Sequence, residues 1–81
     1  DAIAYNNRGF AYGKLGNHQQ AIKDYNKAID LDPLDAMAYS NRGFAYGILG
    51  NYQQGIEDIK VVARLGDGWS QDFLRSKDIV W

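Results

Sequence analysis

Few residues in this chain have the type and spacing to do chemistry. His18 is the only histidine, and with no cysteine anywhere it lacks the second soft or imidazole ligand that a zinc site requires. One period on, its counterpart is Tyr52, so it reads as a surface residue at a helix start. Ser40, Ser70 and Ser76 have no base at a suggestive spacing and no nucleophile-elbow pattern around them. Asp24, Asp30 and Asp32 lack the later Gly and bidentate Glu of a calcium loop. Gly13-Lys14-Leu15-Gly16 lacks the ending of a phosphate loop. The expectation is no enzyme, no metal and no cofactor.

Composition narrows the classes further. In 81 residues there are nine basic and ten acidic side chains, and 46% of the chain is hydrophobic. That balance belongs to one small soluble globular unit with a thin core. A net charge of -1 with interspersed signs argues against the phosphate attraction a nucleic-acid partner needs. No apolar run approaches the length of a membrane span, so neither nucleic acid nor membrane insertion is expected. The chain opens at Asp1 already inside a periodic pattern and reads as a fragment, with any targeting signal outside it.

The elements that position the side chains are set by an internal repeat. Residues 1–34 laid over residues 35–68 agree at about 19 of 34 positions. The block Asn7-Arg8-Gly9-Phe10-Ala11-Tyr12-Gly13 returns unchanged as Asn41-Arg42-Gly43-Phe44-Ala45-Tyr46-Gly47. Each unit reads as two helices. In the first, Ala4, Tyr5, Arg8, Gly9, Ala11, Tyr12 and Leu15 share an arc, with Ile3, Asn6, Phe10, Gly13 and Lys14 opposite. Gly16-Asn17 ends that helix, and Ala21, Ile22, Tyr25, Ala28 and Ile29 recur at helical spacing in the next. The second helix should stop near Leu31, because Pro33 disfavours helical geometry at Asp32. Gly9 and Gly43 are expected at close helix contacts.

These residues carry a resemblance. Tyr5, Gly9, Ala11-Tyr12, Gly16, Ala21, Tyr25, Ala28 and Pro33 resemble the tetratricopeptide repeat, a 34-residue helix-turn-helix unit used as a protein-interaction scaffold; the likeness covers residues 1–68. Departures are Arg8 and Arg42 at a usually apolar position, and Gly55, Ile59, Val62 and Asp67 in the second copy where Ala, an aromatic, Ala and Pro are usual. The resemblance implies an all-α fold: a right-handed superhelical α-solenoid of antiparallel helix-turn-helix repeats, with repeats at 1–34 and 35–68. Residues 69–81 are expected to form a capping helix and tail. In that register Phe73 falls where Tyr5 and Tyr39 sit, and Trp69, Phe73, Leu74 and Trp81 cover the last repeat; a docking segment for a partner is the alternative.

Stacked hairpins place their first helices on the concave side. The face calculation together with the resemblance puts Ile3, Asn6, Phe10, Gly13 and Lys14, then Met37, Ser40, Phe44, Gly47 and Ile48, in that groove, with Asn7 and Asn41 on its shoulder. Phe10 and Phe44 either contact a ligand or finish the core against the adjoining first helix. The Lys and Asn set by which some relatives grip a peptide carboxylate is not matched at Asn6 and Phe10, so that mode is not expected. The function expected is a protein-interaction module holding a peptide or partner segment in the groove. The alternative is a structural unit that self-associates through its repeats. Within each repeat Arg8 should pair with Asp24, and Arg42 with Asp58, since an Arg on a core-facing arc needs a counter-charge; the alternative keeps the Arg stem on Tyr with its head in water.

Overall fold

A computed structural model describes residues 1–81. Five α-helices follow one another with no strand: α1 (Ala2–Lys14), α2 (His18–Leu31), α3 (Ala36–Ile48), α4 (Tyr52–Arg64) and α5 (Gly68–Ser76). α1 pairs with α2 and α3 with α4 as hairpins, α3 lies on α2, and α5 lies on α4. The result is a slab of 33 × 25 × 16 Å.

The helix ends follow from local chemistry. The carboxylates of Asp1, Asp35 and Asp67 accept from the backbone N–H groups of Ala4, Ala38 and Ser70, so one capping arrangement opens α1, α3 and α5. Asp32, ahead of Pro33, is extended and terminates α2. Gly16 and Gly50 adopt positive φ. That turn lets the N–H of Asn17 and Asn51 reach the Tyr12 and Tyr46 carbonyls.

The interior is built mainly of small residues. Ala21, Ala28, Ala38, Ala45 and Ala63 are buried with Tyr25, Val62 and Leu74, so the helices approach closely and few large side chains fill the gaps. Close approach is what Gly9 and Gly43 permit. A Cβ on Gly9 would stand 2.7 Å from the buried Tyr25 ring, and one on Gly43 would stand 3.1 Å from Asp58 Cβ and 3.2 Å from the Gly55 carbonyl. A Cβ at Gly47 would meet nothing within 4 Å, and at Gly13 only His18 Nδ1 at 3.9 Å. Gly9→Ala is therefore expected to destabilise by about 1–3 kcal/mol through overpacking. Gly47→Ala and Gly13→Ala are expected to stabilise by about 0.5–1 kcal/mol each through helix propensity. Urea midpoints of the four single variants, Gly43→Ala included, check the opposite signs.

Two expectations about the first helix need correction. Ala4 and Ala11 lie open, although their counterparts Ala38 and Ala45 are buried, because α2 covers α3 and no helix lies on the other side of α1. Leu15, placed on the core arc, is exposed at the helix end.

The last helix departs from the 34-residue register. Its cap, Asp67, lies 32 residues after Asp35, so by geometry Ser70 takes the place of Ala38 and Gln71 that of Tyr39. Phe73 is therefore not the counterpart of Tyr5 and Tyr39. The two helix ends turn differently: α2 ends in an extended Asp32 before Pro33, whereas α4 ends in Gly66 at positive φ with the Asp67 N–H reaching the Val62 carbonyl, and the Asp67 side chain caps the next helix early. α5 stops at Ser76, where Asp78 takes positive φ and Ile79 N–H bonds back to the Leu74 carbonyl. The tail returns to α4, with Arg64 Nε donating to the Trp81 carbonyl at 3.0 Å and the Arg75 guanidinium over the Trp81 ring. Leu74 is fully buried, but Trp69 is 68% exposed and stacks on Phe73 rather than covering the repeat.

Candidate interaction groove

Helical spacing sets the groove. Large apolar side chains at Ile3, Phe10, Met37, Phe44 and Ile48 remain between 49% and 72% exposed on α1 and α3. Two clefts open there. The smaller, about 330 Å³, lies between α1, α2 and α3 and is lined by Phe10, Lys14, His18, Tyr25, Asn41 and Phe44 among others. The larger, about 560 Å³, lies between α3, α4 and α5 and is lined by Ser40, Phe44, Ile48, Tyr52, Ile56, Ile59, Trp69 and Phe73 over a floor of Gly43, Gly47 and Gly55. Phe44 and Ile48 line both and so form the partition between them. Lys14 Nζ sits 5.2 Å from the Phe10 ring centroid, a cation–π pair at the edge of the smaller cleft.

The structure places Asn6 differently from the sequence reading. It is buried, and its Nδ2 donates to Asp35 Oδ2 at 2.6 Å, tying α1 to the cap of α3. Asn6 is thus a strut between successive first helices and not a groove contact; the second-copy residue at that position, Ser40, is exposed and lines the larger cleft. Asn7 is exposed and Asn41 half-buried beside the smaller cleft. The α4 contribution, Tyr52, Ile56 and Ile59, was missed. Gly55 and Ile59 standing where the first copy has Ala21 and Tyr25 were the signal, because smaller or shorter residues there deepen the floor.

Behind the groove, each hairpin is joined by a bidentate ion pair. Arg8 Nε and Nη2 donate to Asp24 at 2.9 and 2.7 Å, and Arg42 Nε and Nη2 donate to Asp58 at the same distances. The two differ in environment. Arg8 is 58% exposed and stands over the Tyr5 ring, whereas Arg42 is 20% exposed, lies between the Tyr39 and Tyr46 rings, and also donates to Asn26 Oδ1 of α2. Both guanidinium groups are raised in pKa, first by the hydrogen bond to the partner carboxylate, with desolvation opposing the shift in each. Burial, then the Asp24 charge, raises the Tyr25 phenol. All four carboxylate-facing donors are spent within the fold.

No group of three metal-ligating side chains comes together, and no helix is long and apolar enough to cross a membrane. Paired antiparallel helices at a fixed period, with an exposed apolar face along the first helix of each pair, define a helical-hairpin repeat protein. Models of the tetratricopeptide repeat match residues 2–34 and residues 24–57, and the chain belongs to that family. Tetratricopeptide repeats are in general non-catalytic protein–protein interaction scaffolds. No curated protein matches the chain in a sequence search.

Proposed function

We propose that the chain is a non-enzymatic interaction module whose concave face holds a peptide or partner-protein segment. The observation that carries this reading is the row of exposed apolar side chains Ile3, Phe10, Met37, Phe44 and Ile48. Large apolar groups aligned on one face of a small protein mark an interaction surface. Asn7, Ser40 and Asn41 stand beside that row and supply side-chain hydrogen bonds to a bound backbone. The repeat units 1–34 and 35–68 act as two successive walls of the groove, with 69–81 flanking its far end.

Replacing Phe10 and Phe44 together by Ser tests this. Both are exposed, so the double variant should lose less than about 1 kcal/mol of stability, against roughly 3 kcal/mol or more for each truncated core Phe. It should fail to retain proteins captured by the unaltered chain. A folded double variant that captures the same proteins refutes the groove reading; an unfolded one assigns both rings to the core.

Self-association is the second reading, favoured by a separate observation. The face by which α3 packs on α2, with Ala38, Asn41, Arg42 and Ala45, is repeated in sequence on α1 as Ala4, Asn7, Arg8 and Ala11. Light scattering across a concentration series separates the readings, since mass rises with concentration only if copies stack.

A further inference from the structure

The larger cleft differs from the smaller one in a way that specifies its occupant. α1 and α3 approach within 8 Å, whereas no Cα of α5 lies within 8 Å of α3. Measured from their capping aspartates, α3 runs thirteen residues and α5 nine. The counterpart of Ala45–Ile48 is therefore missing from α5, about 6 Å of helix. In the first junction that turn supplies Ala45, which packs on Ala21 and Tyr25. In the second junction the equivalent floor, Gly55 and Ile59, lines an open cleft.

The lining also discriminates between backbone conformations. An extended peptide brings unpaired N–H and C=O groups at every residue and needs partners for them, whereas a helix satisfies its own. The cleft offers few hydrogen-bonding groups for its size: Ser70 donates its hydroxyl and its backbone N–H to Asp67 Oδ2, which leaves among the lining side chains the Ser40 and Tyr52 hydroxyls, the Trp69 indole N–H and Asp67 Oδ1, fewer than an extended segment would need. Asp67 is also the only charged residue in the lining. Those Ser70 bonds hold its carboxyl below the usual range, so it is ionised at neutral pH.

We propose that the cleft between α3 and α5 binds a partner as an amphipathic α-helix, whose apolar stripe fills the place of the missing turn of α5 and whose flanking Lys or Arg meets Asp67. This deepens the groove reading and rests on it, because the partner enters from the concave side. The stripe packs on Ile56, Ile59 and the Gly47 backbone, between Phe44 and Trp69. Complementary charge at Asp67 sets the direction of the helix.

The test uses the full chain with Trp81→Phe, so that Trp69 is the only indole. The probe is a hydrocarbon-stapled helical peptide of about four turns, with Phe, Ala and Ile at i, i+1 and i+4 and a Lys one turn earlier. It should shift Trp69 emission saturably. An unstapled analogue with a central Pro should bind at least about tenfold more weakly, as should the Lys→Glu analogue. Gly47→Leu places a side chain in the cleft without meeting a neighbour at Cβ; it should remain helical by circular dichroism and lose the probe by a similar factor. Equal binding of the Pro analogue, an unmoved Trp69 signal, indifference to Gly47→Leu, or a Trp69 shift produced by concentration-dependent dimerisation alone would each overturn the proposal. Phe10→Ser, which alters only the smaller cleft, separates the two readings. A captured partner lost with Phe10→Ser while the stapled helix never binds leaves the groove reading standing and removes this one.

Discussion

Arg42→Ala should cost about 3 kcal/mol or more, the figure expected when one member of a buried ion pair is removed and the other stays. Asp58 is only 5% exposed at its side chain and accepts both of its hydrogen bonds from Arg42. Without the guanidinium, a buried carboxylate faces apolar helix surface with no donor. Arg42 also reaches Asn26, so its loss loosens the junction of the two repeats as well as the second hairpin. Asp24 is as buried as Asp58, but its Arg8 partner is 58% exposed against 20% for Arg42, so removing the Arg8 head opens a path for water to Asp24, and Arg8→Ala should cost about half as much or less. Arg42→Lys should fall between, since an ammonium cannot reproduce the bidentate fork. Urea denaturation of the three variants measures the order. For a chain of this length total stability is on the order of 4–12 kcal/mol, so Arg42→Ala removes a large share of it. Equal losses for Arg42→Ala and Arg8→Ala would show that burial does not govern the pair.

The other large effect is expected at Leu74→Ala. Leu74 is the largest fully buried side chain in the protein, and truncation of a buried Leu typically costs about 2–5 kcal/mol. The consequence should be local. α5 rests on α4 alone, held by Leu74, by the Gln71 Nε2 bond to the Ala63 carbonyl and by the tail contact at Arg64. Losing the Leu74 anchor should release α5 while both hairpins persist. Hydrogen exchange reads this directly: amides of α5 should lose protection, and those of α1 to α3 should change little. Uniform loss across all five helices would show that the terminal helix is part of one cooperative unit with the repeats.

Much of this architecture can be read in the chain. A 34-residue period, Gly16-Asn17 and Gly50-Asn51 as turns, and Pro33 as a stop define four helices from the sequence alone, because each signal acts over a few residues. The equal spacing of Arg8 to Asp24 and Arg42 to Asp58 is legible for the same reason: a duplicated sequence repeats its pairings. Asn6 was not legible. A helical wheel places it beside Ile3 and Phe10, but its burial depends on how closely α3 approaches α1, and on Asp35 being there to accept its hydrogen bond. Ala4 and Ala11 illustrate the same limit, since the residues that bury their copies on α3 are absent from the near side of α1.

What the sequence by itself determined is the repeat, its two-helix unit, the turns and the exposed apolar spacing of the first helices, all set by short-range propensity and period. The tertiary structure alone decided how far α5 stands from α3. Asp67, where the first copy has proline, caps the next helix early, and the reversal at Asp78 leaves α5 four residues shorter than α3. The larger cleft follows from those two events, because the space between α3 and α5 depends on where the helices come to rest against α4 and not on the identity of any one residue lining it.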